Sequence, residues 1–279
     1  MSLYVPGVFV NPFTGFGFRR LFGTESNKDL LISFLNTFLE PVSPIEDIRF
    51  LSPEELGRSS FIRTSVADIY CQCRDDSCLL VELQVCDYCF FRDFEHYCES
   101  FPITRFAPRG KLADTLKAVY AVGVLGFAFD GGHQDELRHT VHMALKETVG
   151  TTVDYLNMVY LEVPNFKKKV EDLRHDFERW LYVLQNLVML DERPAELSCG
   201  IFPKLFETTR ISALTPEEER QYFFSLRTYW DNGATLEAIR ERNRTMTAQE
   251  RAREMKDKGA PLDLIVKYTH LSADEIKKL

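Results

Sequence analysis

The sequence has no apolar run approaching the roughly 18 residues of a membrane span, so no membrane partner is expected. Its start, Met1-Ser2-Leu3-Tyr4-Val5-Pro6, lacks the basic-then-apolar layout of a secretion signal, and a cytoplasmic location is the expectation. Positive charge is in short supply: 34 Lys and Arg stand against 42 Asp and Glu, a net charge of −8. That balance argues against an extensive nucleic-acid grip, although a local basic cleft is still allowed. A second Cys-x2-Cys or a His pair at finger-like spacing is also missing. Cys71-x-Cys73 and Cys86-x2-Cys89 therefore read as reduced thiols, mostly small hydrophobes, more readily than as zinc ligands. What the chain does have is size and apolar content. Its 279 residues, 45% hydrophobic, suffice for one large domain or a domain with an appendage.

Taken in order, residues 1–24 are rich in rings (Phe9, Phe13, Phe16, Phe18, Phe22) that should pack on a core. A helix is predicted from Ser26, with Ser26 as its cap and Leu30, Leu31, Phe34, Leu35 and Phe38 on one face. Residues 46–51 read as a short strand and 52–57 as a turn. A hairpin over residues 62–85 follows, then a helix over 86–101. Arg105, Arg109, Lys111 and Lys117 form the densest basic cluster near the hairpin. Residues 118–129 read as a buried strand, and 139–149 with 155–163 as a strand pair. Helical spacing covers 166–190, with Lys167, Lys168 and Lys169 at its start. Thr215 and Pro216 then open a further helix. After Gly233 the composition turns charged, and short helices with a Ser272-x-x-Glu275 capping spacing close the chain.

The hairpin is where local rules conflict. Asp68 lies in the strand Ala67-Asp68-Ile69-Tyr70-Cys71, and Glu82 interrupts Cys78-Leu79-Leu80-Val81-Glu82-Leu83-Gln84-Val85. A carboxylate in a central strand loses hydration and needs a compensating cation. Two carboxylates on adjacent strands suit Mg2+, which takes one or two carboxylates, several waters and substrate phosphate oxygens. Gln84, two residues beyond Glu82, falls on the same strand face, suited to orienting a water or contacting a phosphate, but it carries no charge. A four-residue turn over Arg74 to Ser77 would pair Asp68 with Leu83 and send Glu82 to the other face. A shared metal therefore requires an odd-length connection or a β-bulge.

These residues, with their flanks, resemble the PD-(D/E)XK nuclease-family transposases, the recombination-promoting nuclease or Rpn family. Asp68, the short hairpin and Glu82-Leu83-Gln84 are similar to the Asp…Glu-x-Gln variant of the nuclease motif. Phe18 through Phe38 resembles the family's opening helix. Tyr160-Leu161-Glu162-Val163-Pro164-Asn165-Phe166, Arg179-Trp180-Leu181-Tyr182 and Leu271-Ser272-Ala273-Asp274-Glu275-Ile276 resemble its later segments.

The resemblance implies an α/β fold: a mixed β-sheet flanked by helices (a restriction-endonuclease-like core) with an α-helical C-terminal extension. Residues 1–231 would form the nuclease-like domain and 232–279 the helical tail. It further implies Mg2+-dependent cleavage of DNA phosphodiester bonds, with Mn2+ as a substitute ion. The partner would be double-stranded DNA, with a homo-oligomer left open. Asp68 and Glu82 would be metal ligands, Gln84 would stand where the usual lysine stands, and Glu25 would be an additional acidic residue. Arg92, Arg105, Arg109 and Lys111 would neutralise backbone phosphates. The chain departs from the family where a helix bearing a Gln is typical: Pro102, Pro108 and Gly110 interrupt it, and no Gln occurs from 85 to 133. That departure and the net charge favour an alternative, a catalytically impaired member that binds DNA or a protein. In a third reading Asp68 and Glu82 are structural, paired to Arg63 or Arg92.

Overall fold

The computed structural model describes residues 7–39, 44–51, 67–74, 77–84, 119–128, 137–146, 152–245, 247–257 and 259–279. Its centre is one mixed six-stranded sheet. The strands are β1 (Ile48–Phe50), β2 (Ala67–Cys73), β3 (Cys78–Gln84), β4 (Val119–Leu125), β5 (Arg138–Lys146) and β6 (Thr152–Glu162), in the spatial order β1-β2-β3-β4-β6-β5. The strands β3, β4 and β6 run parallel, while β1, β2 and β5 are antiparallel to their neighbours. With helices packed on it, this is the α/β, restriction-endonuclease-like arrangement expected.

Alternation along the strands divides the sheet cleanly. Ile69, Cys71, Leu79, Val81, Leu83, Val122, Val124, Val159 and Leu161 fall on one face and belong to the main core. Onto that core pack α1 (Gly15–Phe22), α2 (Lys28–Leu39), α3 (Asp176–Asn186) and α4 (Phe202–Thr208). Rings dominate the packing: Trp180 of α3 sits within ring-contact distance of Phe22, Phe34 and Phe202. Arg138 reaches the same face from β5 and donates to the Phe38 carbonyl at 3.1 Å.

The N-terminal rings pack as their spacing suggests. Phe9 bridges to Arg210 and is fully buried, as are Phe18 and Phe22. Thr14 caps α1, its Oγ1 accepting from the Gly17 N–H at 3.0 Å. Gly17 is required there, because a Cβ would lie 2.0 Å from the Asn11 carbonyl oxygen.

Two helix starts differ from expectation. Ser26 does not cap α2. It lies inside a 3-10 turn, Glu25–Asn27, and α2 begins at Lys28. The segment after β6 is not helical from 166. Lys169 and Leu173 adopt extended backbone, and α3 starts only at Asp176, behind an extended His175. The apolar spacing of Val170, Leu173 and Phe177 is helical in sequence, yet Val170 lies in a 3-10 turn, Val170–Asp172, and Leu173 is buried from the extended residue that follows it. Glu178 sets the true start, accepting from the Arg174 N–H at 2.7 Å, as a carboxylate in the first turn can. The lysines 167–169 thus lie in the loop and not on the helix.

The chain divides into two compact units, 1–227 and 228–279. The long helix α5 (Pro216–Thr245) contributes to both and passes unbroken through Gly233, despite the change in composition there. Its start is a reciprocal cap: Thr215 N–H donates to Glu218 Oε2 and Glu218 N–H to Thr215 Oγ1. The second unit adds α6 (Ala248–Asp257), α7 (Leu262–Thr269) and α8 (Ala273–Lys278) around Ala252, Ile265 and Ile276. The capping box of Ser272 and Glu275 is formed at α8. Among the described residues no helix is long and apolar enough to cross a membrane.

Candidate active site

The hairpin settles its own register. Cys73 N–H donates to the Ser77 carbonyl at 2.8 Å, so Ser77 belongs to the ladder and the connection is the three residues Arg74 to Asp76. Counting Ser77 as turn overlooked that it is buried at the strand end. With an odd connection, Asp68 pairs with Glu82, not with Leu83. Directly opposed residues share a sheet face. The geometric condition for a shared ion is therefore met without a bulge.

Both positions lie on the face turned away from the main core. Every core residue of β2 and β3 (Ile69, Cys71, Leu79, Val81, Leu83) is odd-numbered, whereas Asp68, Glu82 and Gln84 are even-numbered, and alternation places the two sets oppositely. The row continues across the sheet. Glu82 pairs with Gly123 on β4, Gly123 with Tyr160 on β6, and Tyr160 with His139 on β5. The next row runs Gln84, Leu125, Glu162. On this face Leu80, Leu125 and Tyr160 are buried, whereas Tyr70, Gln72 and Ala121 are half-buried.

Two of these row-mates carry chemistry that the sequence reading did not assign to the site. Glu162 is 1% exposed, and its Oε2 accepts from Asn165 Nδ2 at 2.8 Å. Tyr160 lies across Gly123: a Cβ on that glycine would stand 2.6 Å from Tyr160 Cδ1 and 3.0 Å from Cε1. The signal was present as repeated spacing. Glu82-x-Gln84, Gly123-x-Leu125 and Tyr160-x-Glu162 occupy equivalent positions on three parallel strands, which only the strand order reveals.

Glu25 sits in the exposed turn before α2, 3.8 Å from Lys28 Nζ. Arg92, Arg105, Arg109 and Lys111, the Arg63 partner of the structural reading and the expected helix over 86–101 lie outside the described residues. Cys71 is in the main core and Cys73 packs against it. Among the described residues, no three His, Cys, Asp or Glu side chains converge as a metal cluster.

One titrating cluster is well defined, at the start of α3. Burial opposes ionisation of Glu178, but Lys168 Nζ, the Arg174 N–H and the His175 ring at 3.3 Å outweigh it and hold the carboxyl below its ordinary range. It secures the loop that leaves β6 against the helix.

Comparison with known proteins agrees with this geometry. The sequence model of the PD-(D/E)XK nuclease family transposases matches residues 12–239, most of the chain. The chain belongs to that family. Neither the curated proteins nor the solved structures compared with it contain a match. The matched span takes in the whole sheet, α1 to α4 and most of α5, and leaves α6 to α8 beyond it. Family membership points to a nuclease-type hydrolase with DNA as substrate and a divalent ion as its usual helper.

Proposed function

We propose that the chain is a Mg2+-dependent endonuclease that hydrolyses phosphodiester bonds of double-stranded DNA in the cytoplasm, in the service of transposition or recombination. The observation that carries this reading is the pairing of Asp68 with Glu82, with Gln84 on the same face of β3. Two carboxylate positions level on adjacent strands are a donor set that fits a hard divalent ion, and Mn2+ would substitute. Asp68 and Glu82 would hold it. When bound, such an ion acidifies a water and neutralises charge on the scissile phosphate. Gln84 offers an amide that orients the attacking water or contacts a phosphate oxygen, without adding positive charge. Arg92, Arg105, Arg109 and Lys111 would neutralise the DNA backbone, and Glu25 is the further acidic candidate.

The net charge of −8 favours a second reading, a family member that binds DNA or a protein without cutting. Calorimetric titration with Mg2+ and Mn2+ separates the two. The nuclease reading expects binding in the wild type and its loss in Asp68→Ala and Glu82→Ala. A wild type that takes up neither ion at millimolar concentration supports the binding module.

A further inference from the structure

We propose that Tyr160 is a positioning residue of the same site, its hydroxyl holding the Glu82 carboxylate in the orientation that a divalent ion needs. The inference rests on the nuclease reading and adds to it a residue outside the Asp…Glu-x-Gln triplet.

Three observations converge on it. Tyr160 stands in the Asp68–Glu82 row, two strands from Glu82 across β4, and two interstrand steps of about 4.8 Å separate the paired positions. The residue between them is Gly123, which carries no side chain. The edge of the Tyr160 ring occupies the space that a Cβ would take there, 2.6 Å from Cδ1 and 3.0 Å from Cε1. Any other residue at 123 would stand as a partition between Tyr160 and the β3 carboxylate. Finally, Tyr160 is only 9% exposed. Tyrosine hydroxyls in such surroundings find hydrogen-bond partners within the protein, because leaving one unsatisfied is costly. Carboxylates that ligate metals are in turn hydrogen-bonded by neighbours that fix their orientation, and loss of such a neighbour typically weakens ion affinity or activity 10- to 100-fold.

The chemistry is compatible with the ionised state of Glu82 that ligation demands. A neutral phenol donates its proton to one carboxylate oxygen and leaves the other for the ion. Phenylalanine keeps the ring over Gly123 and removes only that donor, so the Tyr160→Phe variant isolates the hydroxyl from the packing.

The test is Mn2+ titration by calorimetry on wild type, Tyr160→Phe and Gly123→Ala, with a thermal melt of each. Tyr160→Phe is expected to bind Mn2+ about tenfold or more weakly than wild type while still melting cooperatively as a folded protein. Gly123→Ala, which pushes the ring away without removing any polar group, is expected to weaken binding in the same direction wherever it melts cooperatively. Wild-type affinity in Tyr160→Phe overturns this inference alone and leaves the nuclease reading standing. Failure of the wild type itself to bind overturns both.

Discussion

Insertion of one glycine between Asp75 and Asp76 tests what sets the hairpin register. The insertion makes the connection four residues, the length at which simple counting pairs Asp68 with Leu83. If loop length governed register, β2 would slip by one residue and turn every side chain to the opposite face. Ile69 and Cys71, both in the main core, would leave it, and Tyr70 and Gln72 would enter. Removing the isoleucine from the core costs roughly 1.5–3 kcal/mol, and burying the glutamine without partners roughly 1–3 kcal/mol more. Absorbing the extra residue in the loop costs only about 0.3 kcal/mol by loop-closure entropy. The difference, several kcal/mol, decides for the loop. The variant should therefore melt within about 1 °C of wild type, since 1 kcal/mol corresponds to about 2–4 °C in a unit of this size. A cooperative melt lowered by about 10 °C or more would refute the reasoning, because it would mean that the turn and not the buried face holds Asp68 level with Glu82.

Two further perturbations probe the scaffold. Glu178→Gln removes a carboxylate held by Lys168, the Arg174 N–H and His175, and should cost about 2 kcal/mol in urea unfolding at neutral pH. Because the folded pKa of Glu178 is lowered, its contribution is fully present above the ordinary carboxylate pKa of about 4.3 and is lost as pH falls through the lower folded value. The gap between variant and wild type should accordingly close on acidification, and a gap constant from pH 7 to 3 would contradict the assignment. Gly17→Ala, ordinarily a gain in a helix interior, should destabilise by about 3 kcal/mol, because the new methyl meets the Asn11 carbonyl at 2.0 Å. A neutral result in urea unfolding would show that this close approach does not exist.

The strands and the apolar faces were legible in the sequence because burial writes them directly. Residues 118–129 and 155–163 announce β4 and β6 by their apolar character, and Leu30 to Phe38 announce α2 by spacing. The helix start at Thr215 and the Ser272–Glu275 capping box, where each side chain accepts from a backbone N–H of its partner residue, were equally readable. Features that depend on a single backbone hydrogen bond or a chain crossing were not. The true connection length shows only in the bond from Cys73 to Ser77, and a serine in a polar cluster reads as turn. Helical spacing around Val170 and Leu173 misled, because a short 3-10 turn followed by an extended residue can bring the same residues onto a core. Tyr160 and Gly123 were invisible as neighbours of Glu82, since only the order β3-β4-β6, with β5 beyond it, brings residues so far apart in sequence into one row.

Nicking of supercoiled plasmid by purified wild type and by folded Asp68→Ala, with Mg2+ and with the ion chelated, addresses the central claim most directly. The account predicts that wild type nicks only with the ion present and that the variant does not nick at all. Ion-dependent nicking that persists undiminished in Asp68→Ala would contradict it.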